Sequence, residues 1–316
     1  MKLANSKVEI AAILVITALA IMLGYAPYSL DVKALGLFST NDSAISKANV
    51  TNEYPNVRNV RLYSNLSFDD IELYPAQLTK VYCNATIDDG NGYIDINSSN
   101  ATIFHTSNVS TDPDAPTAHY TNGSCRLWQG SGTTMESSCS FDVQYFALNG
   151  TWTCNVTARD QTISGSYLIA SNNTAENITK LVALNVTEII DFGTLSVNQN
   201  STGDFIANVT NLGNVRIDLN LHGYARNDGD GYAMVCEVGN ISIGWEKYNL
   251  TTPGLSHGAM TNLSGAAVGV TETNFNLVSA TQANSPSIAN TYWKIGIPPG
   301  TRGICNGTIV FNAIDG

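Results

Sequence analysis

The stretch NGTWTCNVTARD, residues 149–160, decides how the chain is read. Side chains on a strand alternate between its two faces with a period of two. If Cys154 faces inward, Trp152, Val156 and Ala158 face inward with it, while Asn155 and Thr157 face solvent. The same stretch carries two N-x-S/T sequons, at Asn149 and Asn155. A cysteine on one face and a sugar acceptor on the other describe a half-buried strand of an exported β-protein. QLTKVYCNATID, residues 77–88, repeats the pattern, with Val81, Cys83, Ala85 and Ile87 on one face and Asn84 and Thr86 on the other.

Working outward, short alternating runs separated by Gly, Asn, Asp and Pro clusters continue from about Asn56 to the end. That spacing predicts antiparallel sandwiches rather than βαβ units. FIANVTNLGNVRIDLNLHG, residues 205–223, reads as a hairpin: Phe205, Ala207 and Val209 share a face, Asn211–Asn214 turn, and Val215, Ile217, Leu219 and Leu221 resume. In that register His222 points outward. WKIGIPPGTRGICNGTIVFNA, residues 293–313, supplies two more strands around a Pro-Pro-Gly turn. Ala175–Leu184 is compatible with one short helix.

The 316 residues suffice for two domains with real cores, and the apolar fraction of 43% argues against disorder. Charged residues make up only 13%, and the net charge is −11. With no basic run, nucleic-acid binding is excluded as an expectation, because it needs clustered Lys and Arg to displace counterions. At the N-terminus Lys2 and Lys7 precede an uncharged apolar run from Ile10 to Ala26, close to the lower limit for a bilayer span. The expectation is an uncleaved single-pass anchor with its N-terminus inside and the bulk of the chain extracellular, in contact with the lipid membrane. A cleaved signal peptide and a pilin-type leader are the alternatives. The expected organisation is a membrane helix over 1–28, a stalk over 29–55 and two tandem β-sandwiches over 56–180 and 181–316. The fold class is thus all-β after one transmembrane helix.

Nineteen sequons occur along the chain. The glycosylation candidates are Asn84, Asn155, Asn208 and Asn306, of which Asn84 and Asn155 fall on the solvent face of their strands beside an inward cysteine. Six cysteines in an exported chain allow fifteen pairings. Domain logic favours Cys83–Cys154, Cys125–Cys139 and Cys236–Cys305, with 83–125 and 139–154 as the nearest alternative. An even cysteine count without a CxxC argues against zinc.

The elements of the first sandwich resemble an immunoglobulin-like domain, with Trp152 two residues before the second cysteine. No Trp follows the first cysteine, so the resemblance is one of architecture. The segments CNATIDDGNGYIDI, YFALNGTWTCNVTARD, FGTLSVNQNSTGDFIANVTNLGNVRIDL and WKIGIPPGTRGICNGTIVFNAI together resemble archaeal cell-surface proteins. Those join an N-terminal hydrophobic helix to immunoglobulin-like and "NxGN" β-sandwich modules. The resemblance covers most of residues 70–316, and its motifs mark turns and cores. It implies an envelope protein with a structural or adhesive role whose partners are other envelope proteins or glycans. A narrower resemblance is to archaeal type IV pilins, which implies self-assembly. Glu9 would be fifth in the mature chain if cleavage followed Ala4, although Leu3 and Lys7 depart from that pattern.

Chemistry is sparse. IDDGNGYIDINS, residues 87–98, approaches a calcium loop, but Ile87 and Ser98 stand where an EF-hand needs its first and last ligands. A looser Ca2+ site on Asp88, Asp89 and Asp95 is the one cofactor expectation, against the simpler reading of a polar turn. RNDGDGYA, residues 226–233, repeats that turn chemistry with Asp228 and Asp230. The four histidines, His105, His119, His222 and His257, form no ligand pair, and the sequence has neither a GxSxG elbow nor a phosphate loop. The adjacent carboxylates Asp69-Asp70 and Asp88-Asp89 would point to opposite faces of a strand, so no glycosidase pair forms. Trp128, Trp245 and Trp293 are read as core, with a sugar-binding platform as the alternative. The expectation is a protein that is not an enzyme, with a secreted glycosidase or peptidase as the remote alternative.

Overall fold

Alternation of apolar and polar side chains makes antiparallel strands wherever the two faces of a segment meet different surroundings. The chain divides into two units, Met1–Thr51 and Asn52–Gly316. The computed structural model describes residues 44–64, 69–161, 165–267 and 269–316. The expected membrane helix and the first part of the stalk lie outside the described residues, while 44–55 carry no regular secondary structure. Among the described residues no helix is long and apolar enough to cross a membrane.

With strands numbered in chain order, one sheet runs β1 (Asn56–Tyr63), β2 (Thr79–Asp88), β6 (Thr134–Val143), β5 (Arg126–Ser131). A second runs β4 (His119–Asn122), β3 (Ile96–His105), β7 (Gly150–Asp160), β8 (Ile169–Ile178). All pairings in both are antiparallel. Val81, Cys83, Ala85 and Ile87 of β2 and Trp152, Cys154, Val156 and Ala158 of β7 are buried in one apolar core. The disulfide Cys83–Cys154 crosses that core from one sheet to the other, with Cα atoms 6.4 Å apart. The buried Trp152 indole donates to the Leu148 carbonyl oxygen at 2.8 Å, so its one polar atom is satisfied. Cys125–Cys139 staples the β5–β6 hairpin at its open end.

A second core collects residues from Phe192 to Ile295. A five-stranded sheet runs β15 (Thr261–Asn262), β14 (Glu246–Asn249), β17 (Ser287–Ile295), β10 (Phe205–Asn211), β9 (Leu184–Val186). β11 (Ile217–Tyr224) lies between β16 (Val270–Leu277) and β19 (Thr308–Asp315), and β12 (Tyr232–Val238) between β13 (Asn240–Ser242) and β18 (Arg302–Asn306). Cys236 on β12 stands opposite Cys305 on β18 and is disulfide-bonded to it.

Two expectations are corrected. Residues 205–223 are not a hairpin: β10 pairs with β9 and β17, whereas β11 pairs with β16 and β19. The chain arches from one sheet to the other through Asn211–Asn214. The inward phase of Ala207 and Val209 continues onto Asn211, which is fully buried and bonds to backbone from both sides of the arch. Its Nδ2 donates to the carbonyl oxygens of Val215 (2.8 Å) and Leu277 (3.0 Å), and its Oδ1 accepts from the Gly213 N–H at 2.8 Å. These bonds replace the ladder a hairpin would have made. Residues 175–184 are not helical either, because 175–178 pair along β7 as the end of β8. Tertiary pairing overrides local helix preference here.

The same arch receives the connection between the two cores. Asn214 accepts the Leu181 N–H on Oδ1 at 2.7 Å and donates Nδ2 to the Thr179 carbonyl oxygen at 3.0 Å. Its own N–H donates to the Leu181 carbonyl oxygen at 3.0 Å. Gly213 is required because a Cβ there would lie 2.0 Å from the Leu181 carbonyl oxygen. The N-x-G-N motif is thus a backbone clamp on residues 179–183.

Candidate functional site

The two strands joined across the first core each lead to an inward-phase acid, Asp160 as the last residue of β7 and Asp89 one residue past the end of β2. Asp89 follows Cys83 by six residues and Asp160 follows Cys154 by six, so each lies three inward positions beyond its cysteine. Both are buried, at 1% and 0% exposure. Asp160 accepts the Leu168 N–H on Oδ1 (2.6 Å) and Asn52 Nδ2 on Oδ2 (2.6 Å). Asp89 Oδ1 caps the turn by accepting the Asn91 N–H at 2.8 Å, while its Oδ2 has no partner. Burial pushes the Asp89 carboxyl up, reinforced by the negative charges of Asp95, Asp160 and Glu53. Asp95 is brought beside Asp160 by the β3–β7 register, in which Ile96 faces Asp160, and by a Gln161 N–H bond to its carbonyl oxygen at 2.7 Å.

Of the three sequence candidates, the structure brings Asp89 and Asp95 together and sends Asp88 elsewhere. Asp88 is ion-paired with Arg58 and accepts from Thr134 Oγ1 at 2.9 Å, and the guanidinium holds its carboxyl below the usual range. Asp160 and Asn52 are not among those candidates. For Asp160 a signal is present, since the alternation through Trp152, Cys154, Val156 and Ala158 reaches it next. For Asn52 there is none, because only the fold carries it to Asp160. Among the described residues there is no group of three or more His, Cys, Asp or Glu side chains that could hold a metal ion.

The second acidic turn is a different object. Asp230 accepts the N–H groups of Ala225, Arg226, Asn227 and Tyr232 at 2.8–3.2 Å, and these bonds hold its carboxyl down at about 2. The carboxylate staples its own loop, and Asp228 lies against His222 at 3.4 Å. His222 is therefore buried (4% exposed) rather than outward on the surface, since this loop closes over it. Replacing Asp230 by alanine is expected to lower hydrogen-exchange protection of those four amides at least about tenfold while strands β10 and β11 keep theirs. Unchanged protection would show that the carboxylate does not hold the loop.

Of the glycan acceptors, Asn208 and Asn306 are exposed, whereas Asn84 and Asn155 are half-buried. Asn84 Nδ2, the atom a glycan would occupy, donates to the Tyr63 hydroxyl at 2.8 Å. Asn155 lies in β7 between Thr102 and Asn173, on an outer face that also presents Thr157 and Asn100. Trp293 is core, but Trp128 and Trp245 are 38% and 39% exposed and belong to different halves of the chain. No three-tryptophan platform forms. An open groove of about 450 Å3 lies beside Lys294, Asp204, Asn200 and His257. Its buried Lys294 is saturated, donating to the Thr202 and Gly203 carbonyl oxygens at 3.1 Å each and pairing with Asp204 at 3.1 Å.

No protein-family model matches the chain, and no curated protein matches it. Among solved structures, it is similar to a DUF4785 family protein from Legionella pneumophila subsp. pneumophila, with 10% identity and a TM-score of 0.25. The match covers 83% of this chain and 47% of the other, so the chain spans about half the length of that protein. A likeness at that TM-score carries no argument about fold or function.

Proposed function

We propose that the chain is a membrane-anchored, N-glycosylated envelope protein whose two tandem immunoglobulin-like β-sandwiches do structural or adhesive work outside the cell. One observation carries the reading: β7 has the disulfide and apolar core on one face, and threonine and asparagine on the other. Disulfides persist in oxidising compartments, and a hydroxyl and amide surface suits glycan attachment. The lipid membrane, other envelope proteins and glycans are the partners this reading names.

Mass spectrometry of the intact N-terminus and of glycopeptides, on membrane and sheared fractions, tests it. Met1 or Lys2 retained in the membrane fraction is the expected result, with occupancy highest at Asn208 and Asn306 and lowest at Asn84. An N-terminus at Asn5 in sheared material would make the chain a filament subunit instead. A start beyond residue 26 would remove the anchor, and bare sequons throughout would remove the glycoprotein.

A further inference from the structure

Three buried acceptor oxygens at the end of the first core have no donor: Asn52 Oδ1, Asp89 Oδ2 and Asp95 Oδ2. A buried acceptor without a partner is costly, and in a native protein it calls for a water, a proton or an ion. Here the surroundings favour a cation. Asp89 is 1% exposed and its unpartnered oxygen lies among carboxylates, the charges acting on it being those of Asp95, Asp160 and Glu53. Glu53 is held over the turn, its N–H donating to Asn91 Oδ1 at 2.7 Å. The same geometry is absent at Asp230, whose oxygens are filled by four N–H groups.

We infer that Asn52, Asp89 and Asp95, backed by Asp160, form a site for one hard divalent cation, calcium by preference. Oxygen-only donors suit Ca2+ over zinc or copper. Calcium accepts amide and carbonyl oxygens beside carboxylates and takes six to eight ligands in adaptable geometry, completing its shell with water. Magnesium needs a tighter octahedron and fits this mixed, open set poorly. The carboxylates draw together on the ion, which neutralises a repulsion the apo protein carries. Asn52 precedes β1, so occupancy also ties the start of this unit to the ends of β2 and β7. This inference does not depend on an adhesive role.

The test is thermal unfolding of the full-length chain in EGTA and in about 10 mM CaCl2 or MgCl2, with terbium luminescence as a direct binding readout. For a site of the extracellular class, with a dissociation constant of about 0.1–1 mM, calcium should raise the transition by roughly 3–8 °C. Magnesium should do much less. Asp89→Asn and Asp95→Asn should each abolish the calcium shift and the terbium signal, and Asp88→Asn should keep both. In EGTA the Asp89→Asn protein should melt no lower than the wild type, because an unpaired buried charge has been removed. A wild type with neither a calcium shift nor a terbium signal overturns the site. So does a shift that survives in the Asp89→Asn, Asp95→Asn double variant.

Discussion

Replacing Asn211 by leucine is expected to lower stability by about 3–6 kcal/mol, although leucine keeps the branching and the number of side-chain heavy atoms of asparagine. Leucine can make none of the three bonds that Asn211 makes with the Gly213 N–H and the carbonyl oxygens of Val215 and Leu277 inside the second core. Each buried backbone group left unpaired costs about 1–3 kcal/mol. A second substitution separates this account from a packing effect. Asn211→Asp keeps the acceptor for Gly213 but turns an oxygen toward two carbonyl oxygens, so it should be at least as damaging as leucine. Urea unfolding followed by tryptophan fluorescence, with Trp293 fully buried in this core, gives the number. A loss below about 1 kcal/mol for both variants would mean that the arch is held by something other than this side chain.

Glu246 supplies the second large effect, one that depends on pH. It lies in β14 at 1% exposure with Oε1 unpartnered, and burial pushes its carboxyl up to about 8 from an ordinary 4.5. A carboxyl raised in the folded state binds its proton more tightly there than in the unfolded chain. Its stabilising contribution is complete below the unfolded value and is lost as pH rises through the folded one. Between 4.5 and 8 the wild type should therefore lose on the order of 4 kcal/mol from this group. Asp88, Asp204 and Asp230 have lowered values and are already ionised in both states over this window, so they add no slope. Asp89, raised by burial, adds a part of the same sign. Glu246→Gln should flatten most of the decline in unfolding midpoint between about pH 5 and 8. Equal slopes for the wild type and the glutamine variant would place the ionisation elsewhere.

Much of this molecule is legible from period-two alternation alone. Around Cys83 and Cys154 the alternation names the buried residues and the strands that carry them, because half-burial leaves a regular imprint on sequence. The alternation also runs on to Asp89 and Asp160, where a polar residue at an inward position is a signal in itself. Strand partners are not legible. Residues 205–223 have the pattern of a hairpin, and only the backbone bonds made by Asn211 and Asn214 reveal that the chain changes sheets there. His222 reads as exposed because its phase is polar, yet a loop folds over it from outside the strand.

By itself, then, the sequence determined the strand-rich class and the inward and outward phase of the strands around the first core's disulfide, since those depend on neighbours in the chain. The tertiary structure alone decided which strands share a sheet and which acids meet at the end of the first core. Those contacts join residues as far apart as Asn52 and Asp160, and local patterning carries no record of a distance closed by folding.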